Sequence, residues 1–392
     1  MNSPFNFDSP VDRRGTASLK WNKYQDRDII PLWVADMDFL SPPAVIQALQ
    51  ERVSHGVFGY TTAPDALAET VQEMLGREYG WEIEQQWLTW LPGLVCGLNV
   101  ACRAVGKPGE SVFTFTPIYP PFMTAPILSG RRLVTAPLRL QGVRWEMDLD
   151  EFERAITPDT RLLLLCNPHN PTGRVWSRTE LDDLAVLAER HDLIICSDEI
   201  HAGLVLAEDK PHIPIATLSP AIARRTITLN APSKTYNIPG LGCSFAVISD
   251  PGLRHTFREA MNGIVPHVNL LGYAAAQAAY RQGEGWRREL LAYLRCNRDL
   301  VLARVAAMPG LRSTPVEATY LAWIDARETG LRQPTEFFEK AGVGLSDGAA
   351  FGSPGFVRLN FGCRRELLVD ALNRMQNALE TLNSERRGRK TP

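Results

Sequence analysis

No stretch of this 392-residue chain reaches the roughly 18 uncharged apolar residues that a membrane helix needs. The start "MNSPFNFDSPVDRRG" has neither a basic leader nor an apolar core of the secretory kind. The seven cysteines, Cys96, Cys102, Cys166, Cys196, Cys243, Cys296 and Cys363, include no C-x-x-C pair, which excludes the common zinc and redox motifs. Most sit in apolar runs and read as small buried hydrophobes. The seven histidines form no H-E-x-x-H, and no metal is expected. A formal net charge of −2 gives no electrostatic reason to bind nucleic acid or an anionic membrane. Internal repeats, low-complexity blocks and Gly/Ser linkers are missing as well. "VGKPG" lacks the earlier glycine of a P-loop, and "GVGLSDG" follows a helix-like stretch rather than a strand. The polar, basic end "SERRGRKTP" shows no periodicity and reads as a frayed tail. What remains is the expectation of a cytoplasmic protein acting on a small, mostly uncharged partner.

With 45% apolar and 22% charged residues, the chain has an ordinary globular balance and length enough for two packed bodies. Six short apolar runs read as buried strands: "SVFTF", "RLVTA", "RLLLLC", "LIICS", "TITLN" and "SFAVI", from Ser111, Arg132, Arg161, Leu193, Thr226 and Ser244. Helix-like stretches alternate with them. In "SRTELDDLAVLAERHD", Ser177 or Thr179 can cap, and Leu181, Leu184, Ala185, Leu187 and Ala188 share one face. This alternation predicts an α/β fold with a mostly parallel sheet between helices. After about residue 285 a long helical stretch and the short strands "TYLAWID" and "FVRLNF" predict a smaller α+β body. The expected division is an N-terminal segment over 1–45, a large domain over 46–285 and a small one over 286–392.

Ligands of open α/β sheets bind beyond the carboxyl ends of the strands. There the chain carries "NPHNPTG" after "RLLLLC", "DEIH" after "LIICS", "APSKTYN" after "TITLN" and "TPIYPPF" after "SVFTF". Together these bring an amide, a carboxylate, an amine and an aromatic ring to one edge. A desolvated lysine such as Lys234 loses its proton readily and attacks carbonyls. An aldehyde cofactor like pyridoxal phosphate further needs a carboxylate for its ring nitrogen, a ring to stack on it and an anion site. Asp198, Tyr119 and the helix start in "WLPGLVCGLNVA" are candidates, with Asn170 for the phenolic oxygen.

In order and interval, "NPHNPTG", "SDEIH", "SKTYN" and "FVRLNFG" resemble the fold-type I pyridoxal phosphate enzymes of the class I/II aminotransferase superfamily. "FDSPVDRRGTASLKW", "PLWVADMDF", "FGYT", "PIYPPF" and "DGAAFGSPGFVRLNFGC" further resemble the cystathionine β-lyase branch named for MalY and PatB, over about residues 7–380. The resemblance implies a seven-stranded, mostly parallel but mixed sheet and a covalent link between Lys234 and the cofactor. It also implies that Asp198 meets the ring nitrogen, Asn170 and His201 the phenolic oxygen, and Tyr119 the ring face. The phosphate would rest on Gly93, Leu94, Val95 and Ser233, with Tyr60 reaching it from the neighbouring subunit of a homodimer. Arg358 would grip the α-carboxylate of an amino acid carrying sulfur at Cβ, beside Asn170, with Trp33 at the entrance. Two positions depart from the wider pattern: Ala231 stands where many aminotransferases have a phosphate-binding serine, and Gly242 where they have an arginine.

The implied activity is β-elimination from L-cystathionine or a related cysteine conjugate, giving a thiol, pyruvate and ammonia. Lys234 moves the α-proton, and Tyr119, Tyr60 or Lys234 protonates the leaving sulfur. Transamination uses the same groups and stays open as the alternative. A cofactor-sensing regulator is a poorer fit, since such proteins usually add an N-terminal DNA-binding domain and only about 40 residues precede the catalytic body.

Overall fold

The computed structural model describes residues 5–388. All six apolar runs are strands of one seven-stranded sheet. In chain order these are β1 (Leu88–Leu91), β2 (Ser111–Thr116), β3 (Arg132–Pro137), β4 (Thr160–Cys166), β5 (Ile194–Asp198), β6 (Thr226–Asn230) and β7 (Ser244–Val247). Their order across the sheet is β1-β7-β6-β5-β4-β2-β3. Neighbours from β6 to β3 run parallel, whereas β7 is antiparallel to both β6 and β1. The sheet is therefore mostly parallel with one reversed strand.

Period-two alternation sorts the residues of β4 into two layers. Leu162 and Leu164 join a cluster with Leu94 and Leu98 of the helix Leu94–Ala104, while Leu163 and Leu165 join Leu181 and Leu184 of the helix Arg178–Arg190. Both faces are thus covered, which is why the run is continuously apolar. Each fully buried leucine contributes about 1.5–3 kcal/mol of transfer free energy. Of the two candidate caps, Ser177 is the one used. Its hydroxyl accepts from Glu180 N, and the Glu180 carboxylate reaches back to Ser177 N at 2.8 Å. Five of the seven cysteines are buried; Cys96 is half-buried and Cys296 exposed.

The C-terminal part contains the 24-residue helix Glu284–Ala307. A four-stranded antiparallel sheet follows, ordered Arg312–Ser313, Leu321–Asp325, Phe356–Asn360, Ser346–Asp347. The N-terminal segment lies on this part, since Ile30–Pro31 pairs in parallel with Val343–Gly344 and Asp38 N donates to Gly362 O at 2.9 Å. Of the "SERRGRKTP" end, Ser384–Gly388 belong to the final helix Arg365–Gly388, contrary to the frayed tail expected, and 389–392 lie outside the described residues. Arg386 anchors that end by donating to Thr329 O at 2.6 Å. Among the described residues, no helix is long and apolar enough to cross a membrane.

Candidate active site

Strand register assembles the site. Cys166 at the end of β4 lies opposite Asp198 at the end of β5, and Asp198 lies opposite Leu229 in β6. Asp198 therefore stands between the loop that carries Asn170 and the turn that carries Lys234. Its carboxylate is buried and accepts from Ile200 N at 3.1 Å. Burial first, and then the charge of Glu199, raise its pKa to about 7 against the Ile200 N–H and Lys234. Such a carboxylate is poised to take a cationic partner.

The Lys234 ammonium donates to the carbonyl oxygen of Ala35, which also accepts from the Tyr320 hydroxyl at 2.9 Å. Burial, followed by the Arg358 charge, lowers the lysine pKa to about 8. A neutral fraction then exists near neutral pH and grows as pH rises toward 8, as a nucleophile or base requires.

Arg358 is 4% exposed and has no carboxylate partner among the described residues. Its Nη1 donates to Asn170 Oδ1 at 3.0 Å, and its Nη2 to Trp33 O at 3.0 Å and Ser346 Oγ at 3.4 Å. Nε has no partner. The guanidinium carbon lies 4.7 Å from the centre of the Phe351 ring. Burial lowers its pKa to about 10. A buried guanidinium held only by neutral acceptors is ready for a carboxylate.

Tyr119 is half-buried, and burial raises its phenol pKa. The Arg358 charge acts against that rise and the Asp198 charge with it. His201 is buried, with no partner for Nδ1 among the described residues. Burial, then Lys234 and Arg358, depress its pKa to about 3, so the imidazole is neutral. The Trp33 indole donates to Lys20 O at 3.1 Å, with the Lys23 ammonium 4.9 Å from its ring centre. It is the carbonyl of Trp33, rather than its ring, that reaches Arg358.

Gly93 starts the helix Leu94–Ala104 without a side-chain cap, and the first helical bond runs from Gly97 N to Gly93 O at 3.2 Å. The N–H groups of Leu94, Val95 and Cys96 thus have no helical acceptor, and the dipole favours an anion there. Gly242 has φ +56°, and a Cβ on it would lie 3.0 Å from Pro92 O, pressing on the turn that opens this helix. That contact gives a physical reason for the missing arginine. Ala231 is buried, and Ser233 is half-buried immediately before Lys234. Tyr60 is fully exposed on a segment, 56–64, without helix or strand, beside the exposed Val57 and Phe58.

Several residues of the site escaped the sequence reading. Tyr320 and Ser346 fix the Ala35 and Trp33 carbonyls. Asn360 donates to Val34 O at 2.6 Å and Asp36 O at 2.7 Å, and Asn237 to Met37 O at 3.0 Å and Phe39 O at 2.8 Å. The segment 33–39 is therefore pinned along its carbonyls by residues from distant parts of the chain. Asn237 offered a faint signal, because its φ of +55° suits asparagine better than most residues.

These groups fit pyridoxal phosphate: uncapped helical N–H groups for a phosphate, a buried carboxylate poised to meet a protonated ring nitrogen, and an amine of lowered pKa for an aldehyde. Among the described residues no group of three or more His, Cys, Asp or Glu could hold a metal ion.

The chain is 37% identical to cystathionine beta-lyase PatB of Bacillus subtilis over 387 residues, covering 95% of this chain and all of that one. The solved structure of OvoB is 51% identical with a TM-score of 0.94, covering 96% of this chain and 99% of its own. Cystalysin from Treponema denticola, whose crystal structure contains a pyridoxal 5'-phosphate cofactor, is 30% identical with a TM-score of 0.93 over 96% and 99% of the two chains. Residues 27–375 match the model of the family described as aminotransferase class I and II, and the chain belongs to that family.

Proposed function

We propose that this protein is a pyridoxal phosphate-dependent carbon–sulfur β-lyase that cleaves L-cystathionine or a related cysteine S-conjugate to a thiol, pyruvate and ammonia. The observation that carries the reading is a buried Arg358, without a carboxylate partner among the described residues, on the four-stranded sheet and acting on a Lys234 amine of lowered pKa that follows β6 of the large sheet. The name of the Bacillus subtilis relative supports elimination as the reaction.

When bound, the cofactor supplies an electron-withdrawing ring that accepts the electron pair left at the substrate α-carbon. Everything else falls to side chains. Arg358 clamps the substrate α-carboxylate through two parallel N–H bonds, with Asn170 holding the guanidinium in plane. Lys234 Nζ, once free and neutral, takes the α-proton. Asp198 keeps the ring nitrogen protonated. Leu94, Val95 and Ser233 hold the phosphate, and Tyr119 and His201 border the ring. Tyr119, Lys234 or Tyr60 of a second copy returns a proton to the departing sulfur.

We read the protein as a cytoplasmic homodimer; the dimer is supported by the exposed run Val57, Phe58 and Tyr60, with Tyr60 fully exposed. The division into 1–45, 46–285 and 286–392 is part of the same reading, supported by two separate sheets and an N-terminal segment bonded to the second part. Incubation with L-cystathionine tests the activity. Homocysteine and pyruvate released in equal amounts are expected, and amino-group exchange with a keto acid without either product defeats the proposal.

A further inference from the structure

The carbonyl oxygen of Ala35 carries two donors at once, one from each half of the fold. The first is the Lys234 ammonium, shortly after β6 of the large sheet; the second is the Tyr320 hydroxyl, just before the strand Leu321–Asp325, which donates at 2.9 Å. Tyr320 is 1% exposed, its ring centre lies edge-on to His201 at 6.3 Å, and its own carbonyl accepts from Phe361 N at 2.9 Å. The residue before it, Thr319, is fully buried with φ +74°, a conformation that a β-branched side chain rarely takes. Such a backbone persists only where its surroundings over-determine it. Here Ala318 N donates to Gly173 O and Thr319 N to Leu204 O, both at 2.9 Å, and Leu321 N to Thr319 Oγ1 at 3.1 Å. The phenol is therefore brought to Ala35 by a stretch of chain with little freedom.

We propose that Tyr320 is a positioning residue for Lys234, and that it acts by holding the Ala35 carbonyl where that oxygen accepts the lysine ammonium. The flanking carbonyls of Val34 and Asp36 are held by Asn360, whereas Ala35 O has the Tyr320 hydroxyl as its neutral donor. A hydrogen bond to the charged form of an amine favours that form. This role rests on the proposed function, in which the neutral Lys234 amine takes the α-proton. The ammonium so formed needs an acceptor in a place where burial opposes its charge, and Ala35 O is that acceptor. The charged groups that face Lys234 are Arg358, Asp36 and Asp198, and removing the Tyr320 hydroxyl changes none of them.

Tyr320→Phe deletes only the hydroxyl. It keeps the ring and leaves Ala35 O with the lysine as a donor, so no buried polar group is stranded. Tyr24→Phe is the matched control, since it deletes the same group from a buried phenol that meets Glu339 at 3.0 Å instead of Ala35. The readout is the titration of Lys234 in the cofactor-free chain, by 13C NMR of ε-labelled lysine assigned through its loss in Lys234→Arg. In wild type the carbonyl carbon of Ala35, isolated by labelling the only Ala–Asp step in the sequence, shifts with the same midpoint. Tyr320→Phe lowers the lysine midpoint by about half a unit or more, and Tyr24→Phe leaves it in place. In the cofactor-loaded enzyme Tyr320→Phe lowers kcat about tenfold while KM stays within about twofold, because Arg358 keeps its hold on the substrate. A lysine midpoint that stays or rises in Tyr320→Phe, an equal fall in Tyr24→Phe, an Ala35 carbonyl that ignores the lysine titration, or an unchanged kcat overturns the role of Tyr320 and leaves the proposed activity intact. A wild-type chain that releases no thiol overturns the functional reading instead, and the midpoints, read without cofactor, still decide whether Tyr320 holds the acceptor of Lys234.

Discussion

Arg358 donates to Oδ1 of Asn170 at 3.0 Å across 188 residues of chain, and no described carboxylate meets that guanidinium. The fold has desolvated a cation without a counter-charge among the described residues, and in the proposed function the substrate α-carboxylate would supply it. Arg358→Ala therefore weakens the substrate term, with kcat/KM falling by about 2–5 kcal/mol and most of the change in KM. Arg358→Lys does not restore it, because an ammonium lacks the planar fork. Steady-state kinetics of both variants check this; an unchanged KM in Arg358→Ala removes Arg358 from the substrate site.

Asp198 gives a stability prediction with a definite sign. Its folded pKa, about 7, lies above the ordinary 3.8, so the folded state disfavours the carboxylate. The penalty is absent below pH ~4, grows between there and pH 7, and is complete above. In the cofactor-free chain Asp198→Asn is accordingly stabilising at pH 8, on the order of 2–4 kcal/mol, and close to neutral at pH 4. Denaturant unfolding at the two pH values decides the matter. A gain that is equal at both pH values, or larger at pH 4, contradicts the account.

Lys234, with a pKa lowered to about 8, is expected to capture the cofactor aldehyde as the free amine. The amount of pyridoxal phosphate fixed to the cofactor-free chain by borohydride in a fixed short time should rise as pH passes upward through 8. Peptide mapping should place it on Lys234. Label on another lysine, or capture that is flat with pH, is incompatible with this site.

The proposed homodimer puts Tyr60 in the partner's site, which would make two inactive variants complementary. Lys234→Ala and Tyr60→Ala homodimers, mixed and allowed to exchange subunits, should regain activity in hybrids that hold one intact site. No recovery after demonstrated exchange means that Tyr60 serves its own chain.

The sheet was legible because its strands are covered on both faces, so that "RLLLLC" and "TITLN" stand out as unbroken apolar runs ending in polar residues. Asn170 and Lys234 come shortly after those strand ends and Asp198 closes β5 between them, which is where a parallel sheet places its chemistry. Tyr320 and Ser346 had no such marker. They meet Ala35 and Trp33 across 285 and 313 residues, through contacts that only the closed fold creates. Trp33 shows the limit of reading a side chain from its type, since its carbonyl serves Arg358 while its indole turns to Lys20. The final turns of the helix Arg365–Gly388 were hidden for a different reason. They face solvent, carry no apolar spacing, and are fixed instead by Arg386 on the Thr329 carbonyl.

In the proposed function one lysine, Lys234, drives β-elimination of a sulfur-bearing amino acid. The most direct measurement follows thiol, pyruvate and ammonia together from L-cystathionine and from bulkier cysteine conjugates, with wild type and Lys234→Ala side by side. The account predicts equal release of the three products from at least one of these substrates by wild type, and none by the variant. Amino-group transfer to a keto acid without thiol release, or full elimination by Lys234→Ala, contradicts it.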